Sequence, residues 1–322
     1  MSCAISVLMP VLNGDFTHLS EAINSILEQS FKDFEFLIVD DGSNQKTKHF
    51  LADYAAKDTR IVIITNPTNI GVGNSLNKGL ESAAGCYIAR HDADDIAHPQ
   101  RLAKQFAYME ANPDIVLSCT SVNHIDMQSN HIGGYPVSTD SDVLEAELLL
   151  NSRLCHPSLM FRTTKIRENG GYPVTKSTQD YLLYLKSLKA GFKFGGLDEP
   201  LVDYRINTES ITRKNRGKQL STAPAGSYEH VTRLVGGIDQ QAFERFWFFV
   251  ATQGQSDLRI SDLKTLRPLL RFIQQNPAYY QAWKGSFRYV SRNALEHRFS
   301  PGRLFIALYF RYKYYLPGLS IH

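Results

Sequence analysis

Several features that would place this chain in a common class are scarce in its sequence or missing from it. Four of the 322 residues are cysteines, and they form neither a CxxC pair nor a zinc-binding spacing. They are Cys3, Cys86, Cys119 and Cys155. We therefore expect reduced structural thiols in a cytoplasmic protein. No apolar run approaches the roughly eighteen residues of a membrane-spanning helix, and no signal-peptide core precedes the strand-like run at residues 4–9.

The best-known nucleotide and metal signatures are also missing. No GxxxxGK[ST] loop and no HExxH pair occurs, which excludes the P-loop and zincin classes. Gly71 and Gly73 begin a dinucleotide fingerprint, but Leu76 stands at the third glycine position and no strand ends directly before it. A Rossmann NAD site is therefore not expected.

Charge is distributed unevenly along the chain, although the formal net charge is only +3. Residues 1–210 hold 18 Lys and Arg against 26 Asp and Glu, whereas residues 211–322 hold 17 against 6. The basic C-terminal third suggests an anionic partner, and the alternative is a solvated basic surface.

Strand-like and helix-like segments alternate over the first 120 residues. Strands are expected at 4–9, 34–39, 61–65, 86–90 and 115–119, and helices at 17–29, 44–57, 72–84 and 99–111. This alternation predicts an α/β fold with a mostly parallel sheet flanked by helices.

The regular alternation of strand-like and helix-like segments ends after residue 120. The later pattern predicts helices at 142–150 and 177–190, strands at 157–162, 192–197 and 201–206, a linker at 211–225, and helices at 227–235, 239–253, 261–275 and 278–297. We therefore expect a catalytic domain at 1–215 and a helical basic region at 216–322. The basic and aromatic tail at 302–315 fits either a membrane-surface segment or ordinary core and solvated faces.

Two acidic clusters stand where buried strands should reach the surface. Asp40 and Asp41 follow one apolar run, and Asp92, Asp94 and Asp95 follow another. Carboxylates about 4 Å apart repel by roughly 4 kcal/mol per pair at an effective dielectric near 20, a cost that a divalent cation removes. Turn formation and helix capping explain one aspartate of each cluster, but not all five. The clusters therefore predict a metal-dependent site for a phosphorylated ligand.

The residues alone allow two interpretations of Asp180. With Ser177 it forms an S-x-x-D capping pattern at the start of the helix predicted at 177–190. The other reading makes Asp180 a catalytic carboxylate.

Taken in order, the motifs of this chain resemble family 2 glycosyltransferases with the GT-A fold over about residues 3–215. The matching segments are Ser6–Asn13, Ser25–Phe31, Val39–Ser43, Asn69–Gly71, Asn77–Gly79, Gly85–Asp95, His156–Arg162, Gln179–Asp180 and Tyr204–Arg205. The type resembled is the one that builds bacterial capsule, O-antigen and exopolysaccharide.

The resemblance implies roles for particular residues in binding the donor. Asp41 would contact uracil, with the backbone of Pro10, Leu12 and Asn13 beside the base. Asp92 would meet the ribose. The other residues implied for donor binding are Asn77, Ala93, Arg205 and, more weakly, Arg213.

The resemblance also implies the catalytic groups. Asp94, the last acidic position of the DxD motif, would bind Mn²⁺ or Mg²⁺, and Asp180 would be the general base. Three positions depart from the usual family pattern: Leu12 replaces Tyr, Gln179 replaces Glu, and Asn207 replaces His.

The implied reaction is an inverting transfer from a UDP-sugar to a hydroxyl of a glycan acceptor on undecaprenyl diphosphate. Such an enzyme would work at the inner face of the cell membrane as a peripheral protein, with an anionic membrane surface as a further partner and no nucleic acid. Two alternatives are a nucleotidyltransferase that makes an activated sugar and a non-catalytic nucleotide-sugar-binding protein.

Overall fold

The computed structural model describes residues 3–149, 154–175, 178–207, 216–251 and 258–284. The chain forms two compact units, the first from residues 1–141 and 153–215 and the second from residues 142–152 and 216–322. It therefore leaves the first unit at residue 142, contributes a short segment to the second, and returns at residue 153.

The first unit is built on one sheet, which has nine strands within the described residues. The strands are β1 (Ile5–Val11), β2 (Phe34–Asp40), β3 (Ile61–Thr65), β4 (Tyr87–Arg90), β5 (Ile96–Ala97), β6 (Ile115–Ile125), β7 (His131–Tyr135), β8 (Met160–Arg162) and β9 (Lys193–Arg205). Their order is β3-β2-β1-β4-β8-β6-β9-β5, with β7 paired to β6. The predicted α/β class is confirmed.

One half of the sheet is parallel, as the alternation of segments predicts. β1 lies between β2 and β4, and Ile5 and Val11 stand opposite Phe34 and Asp40 of β2. β1 and β2 are buried along nearly their whole length, which explains their continuous apolar runs. Parallel strands end at the same edge, so the residues after β1, β2 and β4 meet there. The other half contains antiparallel pairs, and the sheet as a whole is mixed.

Helices cover both faces of this sheet. Within the described residues of the two units the helices are α1 (Phe16–Leu27), α2 (Gln45–Ala55), α3 (Val72–Ser82), α4 (Arg101–Ala111), α5 (Ser141–Leu148), α6 (Thr163–Glu168), α7 (Gln179–Lys189), α8 (Arg216–Leu234), α9 (Gln240–Ala251), α10 (Ile260–Thr265), α11 (Arg267–Gln275) and α12 (277–284). Side chains of α1 and α4 share a buried core with Val7 and Met9 of β1. On the opposite face, α3 approaches β1 so closely that a Cβ at Gly79 would lie 2.1 Å from Leu8 Cδ1.

Three local predictions in the first unit differ from the structure. The strand expected at 157–162 is only β8, because His156–Ser158 form a turn of 3₁₀ helix. The strands expected at 192–197 and 201–206 are one strand, β9, which continues through Pro200 while its pairing with β6 shifts register near Ser121. Pro200 tolerates this position because the irregular register relieves it of a ladder hydrogen bond. Helix α7 begins at Gln179 with Thr178 as N-cap, and Ser177 of the predicted capping pattern lies outside the described residues.

The described residues of the second unit are mainly helical, as predicted for the C-terminal region, and form α5 and α8–α12. Its core includes two tryptophans that donate hydrogen bonds to the end of α5 and the residue after it. Trp247 Nε1 lies 3.1 Å from the carbonyl oxygen of Leu149, and Trp283 Nε1 lies 2.8 Å from that of Ala146. These bonds satisfy helix-end carbonyls that would otherwise be buried without partners.

The linker prediction is wrong for residues 216–225, which belong to α8 and include Pro224 inside the helix. An interior proline usually breaks a helix, but Pro224 is flanked by Ala223 and Ala225, and α8 also packs against α9. Residues 211–215 and the tail at 302–315 lie outside the described residues. Among the helices of the described residues, none combines the length and apolar character that spanning a bilayer requires.

Candidate active site

The second acidic cluster forms the loop between β4 and β5, at the edge where the parallel strands end. Asp92 is 30% exposed, and its Oδ1 lies 2.5 Å from Nη1 of Arg90, the last residue of β4. The guanidinium of Arg90 is only 3% exposed. The loop therefore begins with a carboxylate paired to a buried cation.

Asp94 and Asp95 lie deeper in this loop. Burial, followed by the charge of Asp92, raises the pKa of Asp94 to about 6. Asp95 accepts a hydrogen bond from the backbone N–H of Arg205 at 2.8 Å, while its Oδ2 is buried without a hydrogen-bond partner. Burial and the charges of Asp92 and Asp94 raise the pKa of Asp95 well above its usual range. The loop thus holds more negative charge than its protein surroundings neutralise.

Arg205 lies behind the loop and is fully buried. Its Nε donates to the carbonyl oxygen of Asp94, Nη1 to the carbonyl oxygen of Asp126 and to Ser129 Oγ, and Nη2 to Glu21 Oε2. These bonds engage all three guanidinium nitrogens. A contact with a diphosphate stays a prediction that would require some of them to be exchanged, and Arg213 lies outside the described residues.

The first acidic cluster ends β2 at the same edge of the sheet. Asp41 is buried and accepts hydrogen bonds from Asn66 Nδ2 at 3.0 Å and from the backbone N–H groups of Ile70 and Gly71. Asp40 accepts from the backbone of Ser43, and its buried Oδ2 has no hydrogen-bond partner. In this structure Asp41 holds the loop before α3, and its uracil contact stays a prediction.

The loop after β1 lies beside Asp41, whose N–H donates to the carbonyl oxygen of Val11. Asn13 has a left-handed backbone with φ of 49°, and its Oδ1 accepts a hydrogen bond from the N–H of Asn44 at 2.8 Å. Leu12 is 42% exposed, and Pro10 is half-buried at the end of β1. The structure therefore brings this predicted base-binding loop next to Asp41.

Asn77 binds protein backbone on the other side of the site. Its Nδ2 donates to the carbonyl oxygen of Tyr172 at 2.9 Å, and its Oδ1 accepts from the N–H of Tyr172 at 2.8 Å. The hydroxyl of Tyr172 lies 3.0 Å from His156 Nε2. Asn77 therefore joins α3 to residues 170–172, and donor binding by Asn77 stays a prediction.

Asp180 lies in the first turn of α7 and is half-buried. Its Oδ1 accepts a hydrogen bond from the N–H of Tyr181 at 2.8 Å. Burial raises the pKa of Asp180, and the positive charge of Arg90 opposes that rise. The charges of Arg90 and Asp92 both act on the pKa of Asp180, so the predicted base lies within electrostatic range of the acidic loop.

Sequence reasoning missed three buried residues beneath these carboxylates: Arg90, His156 and Tyr172. A charged residue closing an apolar strand just before an acidic cluster was the one signal available for Arg90. His156 and Tyr172 gave no chemical signal, because their partners are distant in the sequence.

The chemistry of the loop fits a divalent cation. The described residues contain no group of three or more His, Cys, Asp or Glu side chains placed to hold a metal ion. Magnesium-like ions are commonly held by one or two carboxylates, with substrate phosphates and water completing the shell. The half-buried carboxylate of Asp94 and the uncompensated charge of the loop match that arrangement.

Comparisons with known proteins identify the family of this chain. The model of the family described as glycosyl transferase family 2 matches residues 6–163. An uncharacterized glycosyltransferase of Methanocaldococcus jannaschii, MJ1057, is 37% identical over 204 residues, which cover 63% of this chain and 70% of that protein. The chain belongs to glycosyl transferase family 2.

Other relatives of this glycosyltransferase carry more specific names. The O-antigen biosynthesis glycosyltransferase WbnJ of Escherichia coli is 32% identical over 219 residues, covering 65% of this chain and 82% of WbnJ. Among solved structures, S. aureus TarS 1–349 superposes with a TM-score of 0.56 at 18% identity, over 97% of this chain and 89% of that one. TarS has also been crystallised with UDP and with UDP-GlcNAc. The likeness to TarS confirms the predicted glycosyltransferase fold with a helical C-terminal region.

Proposed function

We propose that this glycosyltransferase moves a sugar from a UDP-sugar, with inversion, to a hydroxyl of a lipid-diphosphate-linked glycan in surface polysaccharide biosynthesis. One observation carries the proposal. The acidic loop after β4 and the half-buried carboxylate of Asp180 lie within electrostatic range of each other in a family 2 fold. The TarS complexes with UDP and UDP-GlcNAc and the name of WbnJ support this choice of donor and process.

In this proposal the donor lies across the edge where β1, β2 and β4 end. Asp41 and the loop of Pro10, Leu12 and Asn13 surround the base, and Asp92 binds the ribose. Asp94 would hold Mn²⁺ or Mg²⁺, which supplies positive charge to the diphosphate leaving group when bound. Asn77 and Ala93 complete the predicted donor contacts.

Asp180 acts as the general base. It takes the proton of the acceptor hydroxyl as that oxygen bonds to the anomeric carbon and the bond to the diphosphate breaks. Positioned proton transfer of this kind is worth about 10²–10⁴ in rate. A single displacement inverts the configuration, so an α-linked donor gives a β-linked product. The positive charge of Arg90 favours the ionised form of Asp180 that this role requires.

The acceptor is proposed from the positive charge of the C-terminal residues. The basic residues 211–322 would favour an anionic, lipid-diphosphate-linked glycan and an anionic membrane surface, by simple charge complementarity. Undecaprenyl diphosphate is the carrier that the relatives' process suggests, with the enzyme at the inner face of the membrane.

A panel of nucleotide sugars tests the donor. The full chain would be incubated with Mn²⁺ and UDP-glucose, UDP-galactose, UDP-GlcNAc or GDP-mannose, and scored for thermal stabilisation and slow donor hydrolysis. A ligand at 100 times its Kd stabilises the fold by about 2.7 kcal/mol, which is a readily measured rise in Tm. We expect at least one UDP-sugar to act and the released sugar to have inverted configuration.

Other outcomes point to the two alternatives. Pyrophosphate release from UTP and a sugar phosphate would identify a nucleotidyltransferase. Tight UDP-sugar binding without turnover on any acceptor would identify a non-catalytic binding protein. Failure of every nucleotide sugar to bind would contradict the proposal.

A further inference from the structure

Arg90 has an unusual position for a charged residue. Tyr87 and Ala89 of β4 belong to the core that α1 and α4 cover, so the alternate residues Ile88 and Arg90 point to the opposite face of the sheet. Leu8, opposite Arg90 in β1, contacts α3 on that same face. The guanidinium is therefore enclosed between the sheet and its helices, with only 3% of its surface exposed.

Burying a cation is costly unless a carboxylate pairs with it. Here the partner is Asp92, whose Oδ1 forms an ion pair with Nη1 at 2.5 Å, while neither Nη1 nor Nε of Arg90 makes a hydrogen bond. Burial works against the charge of Arg90, but Asp92 outweighs it and raises the pKa of Arg90 above its ordinary value. The pair thus commits one carboxylate oxygen of Asp92 to the interior.

The other groups near Arg90 come from three separate parts of the chain. Tyr172 packs on Phe161, which stands opposite Ile88 and lies on the same face as Arg90, and its hydroxyl meets His156. Asp180 also interacts electrostatically with Arg90. The guanidinium therefore lies below both the donor-binding loop and the predicted base.

We propose that Arg90 is a positioning residue for donor binding, because it fixes the rotamer of Asp92 and leaves the second carboxylate oxygen to the ribose hydroxyls. This inference rests on the proposed function, in which Asp92 meets the ribose of a UDP-sugar. An arginine suits the task because its guanidinium is rigid, weakly hydrated and always charged, so it can stay buried beside Asp92, whereas a lysine ammonium is strongly hydrated and sits on a flexible stem.

The test compares variants of the full chain by UDP titration calorimetry with Mn²⁺. Arg90→Met removes the charge but keeps an apolar stem, and we expect UDP to bind about 10- to 100-fold more weakly, the usual scale for a charged hydrogen bond. Arg90→Lys keeps the charge without the rigid guanidinium, so we expect folding to be retained and UDP to bind about 3- to 10-fold more weakly. In steady-state assays of Arg90→Lys, which keeps the charge that favours ionised Asp180, the donor KM should rise while kcat changes less than about threefold.

Arg162→Met is the matched control. Arg162 is half-buried at the end of β8 and binds the carbonyl oxygens of Ile115 and Met109 and the hydroxyl of Tyr87, on the other face of the sheet. It should lower Tm and leave the Kd for UDP unchanged. A purely structural role for Arg90 would give the same pattern as this control.

A double-mutant cycle keeps the inference falsifiable if Arg90→Met fails to fold. In an Asp92→Asn background, Arg90→Lys should change the Kd for UDP by less than about twofold, because the route through Asp92 is already lost. Wild-type affinity for UDP in Arg90→Lys, or an equal loss of affinity in both backgrounds, would overturn the inference. The proposed function would still stand in either case, because the wild-type chain itself would bind UDP. A wild-type chain that binds no UDP would overturn both.

Discussion

The carboxylate of Asp180 allows donor binding to be separated from chemistry by a change of one atom. Asp180→Asn keeps the size of the side chain and an oxygen that accepts the N–H of Tyr181, but an amide cannot take a proton from the acceptor. We expect transfer to fall by about 10²–10⁴-fold, with the Kd for UDP within about twofold of wild type. Single-turnover transfer rates and calorimetry measure the two quantities separately.

Glu168→Gln is the control for this change, because Glu168 is an exposed carboxylate at the end of α6. It should behave as wild type in both measurements. Near-normal transfer by Asp180→Asn would show that the base is elsewhere.

Asp94 gives the fold a dependence on pH that can be predicted with its sign. Its pKa is raised from 3.8 to about 6, so between these values the folded chain holds a proton that the unfolded chain has lost. Stability should therefore fall as the pH rises from about 4 to about 6, by up to about 3 kcal/mol from this group. Urea unfolding in EDTA at pH 4.5 and pH 7 measures the difference.

Asp94→Asn has no such proton and should lose this part of the pH dependence. Mn²⁺ added at pH 7 should stabilise the wild-type chain and have little effect on Asp94→Asn. Identical pH slopes in the two proteins would contradict the assignment.

At the scale of structural elements, Arg205 joins the end of β9 to three other segments. Its side chain contacts the acidic loop through the carbonyl oxygen of Asp94, the turn after β6 through Asp126, and α1 through Glu21. Because Glu21 is 36% exposed, the main cost of losing Arg205 is that the carbonyl oxygens of Asp94 and Asp126 lose their donor, and we expect Arg205→Met to lower the free energy of unfolding by about 1–3 kcal/mol. Urea denaturation of the full chain measures it.

Arg60→Met is the comparison, because Arg60 pairs with Asp58 near the surface and such pairs are worth about 1 kcal/mol or less. If Arg205→Met were as stable as wild type but bound UDP poorly, Arg205 would be a diphosphate ligand and not a structural residue.

The elements that local sequence determines were predictable. β1 to β4 and α1 to α4 follow from apolar runs and helical periodicity, and Asp92 and Asp94 could be placed because parallel strands end at one edge. The burial of Arg205 could not be predicted, because its partner Glu21 lies 184 residues away. The continuity of β9 could not be predicted either, because Pro200 is locally typical of a strand end. Only the irregular pairing with β6 accommodates this proline.

At the scale of the whole molecule, the proposed binding to an anionic membrane can be tested on exposed cations of the described C-terminal residues. Lys264, Arg267 and Arg271 are exposed on α10 and α11, whereas Leu263, Leu269 and other apolar residues of these helices are buried. Replacing the three cations by Gln in the full chain should reduce recovery with anionic liposomes, on the order of 100-fold at low salt, since each contributes about 1 kcal/mol. Flotation measures the bound fraction.

A matched triple variant of the first unit, Lys32→Gln, Lys46→Gln and Lys57→Gln, removes the same charge from exposed positions elsewhere. It should float as wild type does. An equal loss of liposome recovery in both triple variants would show that only net charge matters. No loss of recovery in either variant would show that the cations of α10 and α11 do not bind membranes.

The acidic loop is held at both of its ends by the same sheet. Before the loop, the N–H of His91 donates to the carbonyl oxygen of Leu8; after it, β5 pairs with β9 and the N–H of His98 donates to the carbonyl oxygen of Leu201. Because both of its ends are bonded to the sheet, this loop has little freedom to move and make room for a donor sugar of another shape. A change in sugar preference, natural or engineered, should therefore come from substitutions in other parts of the site and spare residues 88–97.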